Sequence, residues 1–404
     1  MLHNIMERIC AFDNLLEAYR AATKGKRYRK EVLRFTQNLE RNLFTLQEEL
    51  QSGTYQVGPY REFYVRYPKP RLVMALEFRD RVVQHAIYRQ LNPYLEKRFI
   101  EDSYACRAGK GTLKAVGRVY EWEKQIIRKP DGKEWYYLKI DIAKFFYRVD
   151  HEIALDLFRQ ITDDEKFLRL MDVIINNPDV PFGLPEGVSA HDCPKDQRLY
   201  EVGMPIGNLS SQMIANMYLD VIDQYCKHVL RIHYYARYMD DIVILHNDLA
   251  TLHRWRKEIE EMAWTRLRLR LNRKTAIRKM TSGMEFVGKR ITPSGVRLRK
   301  SSRYRVKRVF THMKHKYARG SASLETIKTT YASYIGLIQH CDSHNLRHWL
   351  DENITFCKTL GQPPIEHDLY DMDMEPGWEY HLTPPPDGRD EDAPEEAFVF
   401  LNHA

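Results

Sequence analysis

The sequence predicts a mixed α/β fold, and three observations carry that prediction. Apolar residues recur at helical steps of three and four in several segments, whereas residues 135–142 and 232–247 read as strands. The longest clean aliphatic run, Ile242-Val243-Ile244-Leu245, is far too short to span a membrane. With 404 residues, 43% of them apolar and 29% charged, the chain can bury a large core in two or three folded units and is not disordered throughout.

Taken in order, the first twenty residues read as one amphipathic helix (Ile5, Ile9, Phe12, Leu16, Tyr19), without the apolar segment of a secretory signal. Apolar positions 32, 35, 39, 43, 46 and 50 predict a second helix that Ser52-Gly53 ends. An extended piece over 60–65 leads to Pro68-Lys69-Pro70-Arg71, where two prolines forbid a helix. Residues 77–99 are helical, and the aromatic, β-branched 135–142 form a buried strand. Six prolines and glycines between 178 and 194 make 176–203 a long loop, of a length that is usually functional or mobile. A helix over 209–230, a strand–turn–strand over 232–247, and helices over 301–319 and 324–358 complete the pass. The six cysteines form no C-x-x-C pair, which fits a reducing compartment.

The net charge of +8 hides an asymmetry. Residues 361–404 hold twelve acids and one base, Arg389, while the rest of the chain holds 62 bases and 43 acids. Between Arg266 and Arg319 there are nineteen Lys or Arg and a single acid, Glu285. A merely solvated face mixes signs, so this block predicts a polyanion partner, and nucleic acid ahead of a membrane surface. The acidic, proline-rich tail reads as a solubilising extension; covering the basic block or binding a partner are its other readings.

The strongest local signal is Tyr238-Met239-Asp240-Asp241, between two strand-like flanks. Paired aspartates in a turn are usually turn chemistry alone. Here Asp141 ends a second buried strand, and an acid there is costly without a partner or cation. Carboxylates brought from two strands to one sheet edge make a hard-oxygen site for Mg²⁺, and two such ions can clamp an in-line phosphoryl transfer.

At these residues the chain resembles a reverse transcriptase, from about residue 5 to 358. Tyr-x-Asp-Asp in a hairpin and Asp141-Ile-Ala-Lys-Phe-Phe146 match that family's palm motifs. The resemblance implies a right-hand polymerase: a helical N-terminal extension over 1–55, fingers and palm over 56–293, a helical thumb over 294–358 and the acidic tail 359–404. It implies that Asp141 and Asp240 bind two Mg²⁺ ions, with Mn²⁺ a possible substitute, Asp241 in support and the Ile142 carbonyl as a further ligand. Phe146 would sit under the sugar and select deoxynucleoside triphosphates. Lys69 and Arg71 would hold the triphosphate, and Lys274 in Leu271-Asn-Arg-Lys274 would protonate the departing pyrophosphate. Template and primer would meet Arg107 and Lys110 in Arg107-Ala-Gly-Lys-Gly-Thr112, which is not a P-loop because Gly111 follows the lysine. They would also meet Phe286 and Gly288 of a primer-grip hairpin, and Lys300 and Arg303 of the basic block. Tyr331-Ala-Ser-Tyr-Ile-Gly336 resembles a thumb helix. On such a helix, Cys341, His344 and His348 read as packing and RNA contact rather than a zinc site, since no second cysteine pair completes it.

Within the family, Ile206-Gly207-Asn-Leu-Ser-Ser211-Gln212 resembles the enzymes of diversity-generating retroelements, as do Asp13–Arg20, Gly58–Phe63, Ala75–His85 and Leu298–Ser302. Most reverse transcriptases carry glutamine where Ile206 stands. The resemblance implies cDNA synthesis from a template-repeat RNA with errors at adenines, in the cytoplasm of a bacterial or phage-infected cell. It also implies a small, basic, ring-forming accessory variability protein as partner. A defence-associated or other group II-like enzyme, or a non-catalytic RNA-binding scaffold, are the other readings.

Overall fold

The computed structural model describes residues 1–65, 71–129, 132–189 and 192–357. Lys69 and the acidic tail lie outside the described residues.

The N-terminal segment is helical, but each expected helix is broken in two: α1 Ile5–Cys10 and α2 Phe12–Ala22, then α3 Lys30–Gln37 and α4 Leu39–Ser52. The breaks fall at Ala11 and Asn38, and side chains satisfy the carbonyls they free. The Asn14 amide donates to Ile9 O (3.1 Å), that of Gln47 to Cys10 O (2.7 Å) and that of Asn42 to Phe35 O (2.8 Å). Short amphipathic helices can wrap a curved core that one straight helix could not follow. Ile5, Ile9, Leu15, Leu43 and Leu46 join a single buried cluster with Val82 and Ile87, so these helices share the core of the following elements.

A hairpin of β1 Arg61–Val65 and β2 Arg71–Ala75 leads to α5 Phe78–Arg98, and α6 Thr112–Ile127 precedes β3 Tyr136–Asp141. Next come α7 His151–Arg159, α8 Glu165–Ile175 and α9 Leu209–Gln224, the last running on into a π-helical turn over 225–229. The expected hairpin is β4 Tyr234–Tyr238 with β5 Asp241–His246; α10 Leu249–Leu267 and β6 Ala276–Lys279 follow. These strands form an antiparallel sheet in the order β4-β5-β3-β6. Its central strand β5 reads Ile-Val-Ile-Leu, and all four of these residues, which point alternately to the two faces, are buried, which explains the continuous apolar run.

A second sheet, β7 Met284–Phe286, β8 Lys289–Thr292 and β9 Gly295–Leu298, leads into α11 Lys300–Ala318, α12 Leu324–Ile338 and α13 His344–Asn353. The last predicted helix is thus two, separated at 339–343. Leu298, Val306, Phe310, Ile338, Leu346 and Leu350 form a small core separate from the main one. No helix among the described residues is long and apolar enough to cross a membrane.

Candidate active site

The sheet brings the acids together. Asp141, the last residue of β3, is paired directly with Asp241, the first of β5. Directly opposed residues share a face with Cβ atoms about 5 Å apart. Met239 and Asp240 form the two-residue turn between β4 and β5, and Met239 takes a left-handed φ of +51°. The flanking Ile140, Ile242, Val243 and Ile244 are fully buried. That apolar ladder fixes the register, since a slip of one residue would send the acids to the opposite face.

The site is short of positive charge. Burial, then the Asp141 and Asp241 carboxylates, push the Asp240 carboxyl up to about 6, with Arg71 acting in the opposite sense. Burial also raises Asp241, opposed by Lys139, the Val287 N–H and Arg299. Lys139 Nζ lies 3.5 Å from Asp241 Oδ2, and the Val287 N–H donates to the same oxygen at 3.3 Å. Asp241 Oδ1 is buried with no hydrogen-bond partner. A half-satisfied carboxylate beside two others is the environment that a divalent cation relieves, so the donor set fits a hard divalent ion. Among the described residues, no three His, Cys, Asp or Glu side chains converge into a ready-made cage.

Segment 270–275 clamps the end of β3. Asn272 N–H donates to Asp141 O (2.7 Å) and Ala143 N–H to Arg270 O (2.9 Å). These bonds flank the Ile142–Leu271 bridge and leave the Ile142 carbonyl out of it. The buried Thr275 accepts from Asp141 N–H at 3.4 Å. Exposed Lys274 follows an Asx turn in which its N–H donates to Asn272 Oδ1 (3.1 Å). Beside them, Val287 and Gly288 form the β7–β8 turn with φ of +45° and +72°. Glycine adopts that conformation freely, but for the β-branched Val287 it is strained, and it aims the backbone N–H at Asp241.

A third group adjoins the acids. Half-buried Phe146 and Tyr147 pack on an apolar cluster of Leu72, Val73, Met74, Phe182 and Ile206. Ile206 is only 6% exposed, and its carbonyl accepts from Met74 N–H at 3.2 Å. Gly207 has φ +113°, and a Cβ there would stand 3.1 Å from Val73 Cγ1, so the chain can cross β2 only at a glycine. Gln212 is half-buried in the first turn of α9.

Three residues expected at nucleic acid are engaged within the protein itself. The Arg107 side chain is 5% exposed and spends its donors internally, on Glu96 (2.9 Å), Ile100 O (2.7 Å) and Ser103 O (2.8 Å). Lys110 donates to Glu101, through both its carboxylate and its backbone carbonyl. Both bases therefore hold the shape of their own loop. The Phe286 ring is wholly buried, which leaves Val287 and Gly288 at the tip of that hairpin. Lys300 and Arg303 are exposed on the first turn of α11. Cys341 accepts from Lys289 Nζ (2.9 Å) and His348 meets Glu352 (3.0 Å), so the Cys-His spacing gathers no metal site among the described residues. Sequence reading passed over Lys139, Thr275 and Val287, and over Arg237, a lone charge within an otherwise apolar strand.

The chain is similar to several known proteins. The family described as "Reverse transcriptase (RNA-dependent DNA polymerase)" matches residues 67–291. Protein YkfC of Escherichia coli K12 is 26% identical over 315 residues, covering 69% of this chain and 77% of that protein. The group II intron-encoded protein LtrA of Lactococcus lactis is 26% identical over 220 residues, covering 53% of this chain and 32% of LtrA. Among solved structures, apo telomerase from Candida tropicalis gives a TM-score of 0.44 at 13% identity, covering 68% of this chain and 56% of that one. The matched family segment takes in more than half of the sequence, the acids of both strands and the hairpin between them: the chain belongs to the reverse transcriptase family and is an RNA-directed DNA polymerase with a right-hand fold.

Proposed function

We propose that this polymerase copies a template-repeat RNA into adenine-mutagenised cDNA, as the enzyme of a diversity-generating retroelement. The observation that carries the reading is Ile206-Gly207-Asn208-x-x-Ser211-Gln212, with a residue that cannot hydrogen-bond where a glutamine is usual. Losing one polar restraint on the incoming nucleotide lowers base discrimination by ~1–3 kcal/mol.

In this reading residues 56–293 are fingers and palm and 294–358 the thumb. Asp141 and Asp240 hold two Mg²⁺ ions, with Asp241 and the Ile142 carbonyl completing the set. Held by these residues, such ions would supply positive charge to lower the pKa of the primer 3′-hydroxyl and to offset the negative charge of the pyrophosphate. The chain's own groups do the rest. Phe146 packs under the sugar and excludes a 2′-hydroxyl, Lys69 and Arg71 face the triphosphate, and Lys274 gives the leaving group its proton. Gly207 and Gln212 line the nucleotide, while Gly288, Lys300 and Arg303 hold primer and template. The partners are RNA, cDNA, deoxynucleotides and a small basic accessory protein, and the compartment is the bacterial cytoplasm.

Sequencing cDNA made on one RNA holding all four bases, with and without the accessory protein, tests the proposal. Misincorporation concentrated at template adenines is expected. Equal error frequencies at the four bases would favour the plain group II-like alternative, to which the likeness to LtrA also points.

A further inference from the structure

Directly behind the acidic turn lies a charge pair that the chemistry above does not use. Arg237, on β4, and Asp223, on α9, are both 0% exposed, and Arg237 is the largest of the fully buried side chains. The guanidinium is fully engaged. Its Nε donates to Asp223 Oδ1 and Oδ2 (2.8 and 2.9 Å), and Nη2 donates to Asp223 Oδ2 (2.7 Å) and Ser103 Oγ (3.0 Å). Nη1 donates to Asn216 Oδ1 (3.3 Å) and to the carbonyl of Met239 (3.4 Å). Tyr235 OH completes the acid by donating to Asp223 Oδ1 at 2.6 Å.

The bond to Met239 O reaches the turn itself. Met239 is the residue held at left-handed φ, and Asp240 follows it. Such a conformation is strained in a residue with a side chain and persists only where its surroundings impose it. The backbone around Arg237 is also fixed: its N–H donates to Asp102 O and its carbonyl accepts from Tyr104 N–H, both at 2.9 Å. Arg237 therefore ties two elements to the turn: α9, whose N-terminus follows Gly207, and the loop 102–104 are both joined through it to the Met239 carbonyl. A lysine would keep the charge but could not serve Asp223, Ser103, Asn216 and Met239 at once from a planar fork.

We propose that Arg237, oriented by Asp223, is a positioning residue that holds the Met239 carbonyl and thereby aims the Asp240 carboxylate into the metal site. This rests on the reading of Asp240 as a metal ligand. Breaking the pair by one substitution leaves a buried charge and endangers the fold, whereas replacing both partners by apolar groups of similar size is often neutral. The informative variant is therefore Arg237→Met with Asp223→Leu and Tyr235→Phe, which removes the charges and the hydroxyl together. Arg237→Lys serves as the milder variant.

The experiment titrates Mn²⁺ alone into the full-length protein, read by electron paramagnetic resonance without substrate, after circular dichroism has shown each variant to be folded. Losing a group that orients a ligand typically weakens metal affinity by about 10-fold or more. The triple variant and Arg237→Lys should both bind Mn²⁺ about 10-fold more weakly than wild type. In primer extension, the Mg²⁺ needed for half-maximal rate should rise while KM for the RNA–primer duplex stays unchanged. A folded triple variant, or a folded Arg237→Lys, with wild-type Mn²⁺ affinity overturns the proposal. Asp240→Asn is the control that separates the two ideas. If it too binds Mn²⁺ like wild type, the reading of Asp240 as a ligand fails first.

Discussion

One hairpin carries two kinds of buried acid chemistry. On the β4 side, the Asp223 carboxylate meets three guanidinium contacts and a tyrosine hydroxyl, so its charge is fully matched. At the turn, Asp240 feels the charges of Asp141 and Asp241, and one Asp241 oxygen has no partner at all. The same hairpin thus borders a satisfied acid network on α9 and an unsatisfied one at its own turn. Where charge is matched the fold gains rigidity; where it is left unmatched the fold spends stability to keep ligand-ready oxygens. The two regions should respond oppositely to the same chemical change.

The largest expected effect is on catalysis. Changing Asp240 and Asp241 together to Ala should lower primer extension by about 10³-fold or more, since metal-borne charge stabilisation is worth several kcal/mol. RNA affinity, read by filter binding, should change by less than about two-fold because the basic α11 face is untouched. A double variant that still extends a primer would remove the acids from the chemistry.

Next comes the matched region. Asp223→Asn leaves Arg237 buried without its counter-charge and should cost about 3–5 kcal/mol in urea unfolding. A loss below about 1 kcal/mol would mean that the pair does not fix the hairpin.

The unmatched region should show itself in pH dependence. The Asp240 carboxyl sits up at about 6 in the folded chain, against its model-compound value of 3.8. Between those values the folded state holds a proton that the unfolded chain has released. Raising the pH through that window must therefore destabilise the metal-free protein, by about 1–3 kcal/mol at most for a half-buried group. Millimolar Mg²⁺ should flatten this slope, and stability curves at pH 4.5, 5.5 and 7 would reveal it.

The smallest effect is at the nucleotide side. Ile206→Gln should lower misincorporation opposite template adenines several-fold, as a regained hydrogen bond of ~1 kcal/mol allows. Because Ile206 is buried against β2, the same change places an amide among Leu72, Val73 and Phe182 and should also reduce stability. An unchanged error spectrum at reduced stability would make Ile206 a packing residue only.

What could be read from the sequence follows from what each feature depends on. Asp141, Asp240 and Asp241 stood out because acids at strand ends violate local apolar patterning, and the ladder pairs Asp141 with Asp241 directly. The sheet order β4-β5-β3-β6 had no such signature, since it rests on pairings between strands about a hundred residues apart. Breaks at Ala11 and Asn38 were hidden because apolar periodicity continues across them while tertiary hydrogen bonds, from Asn14, Gln47 and Asn42, replace the helical ones. The acids beside Arg107 and Lys110 had no signature in the sequence, because a base in a glycine-rich loop looks the same whether its partner is a phosphate or Glu96 and Glu101. Arg237 offered a signal in Tyr-Tyr-Ala-Arg-Tyr, where a lone cation in a buried strand demands a buried anion.

The contrast between matched and unmatched acids is tested most directly by the thermal unfolding of Asp240→Asn against wild type at pH 7, with and without Mg²⁺. Neutralising an acid that the fold leaves unmatched should raise the midpoint of the metal-free protein, and Mg²⁺ should raise wild type while leaving the variant nearly unmoved. A variant less stable than metal-free wild type, or one that gains as much from Mg²⁺ as wild type does, would contradict the account.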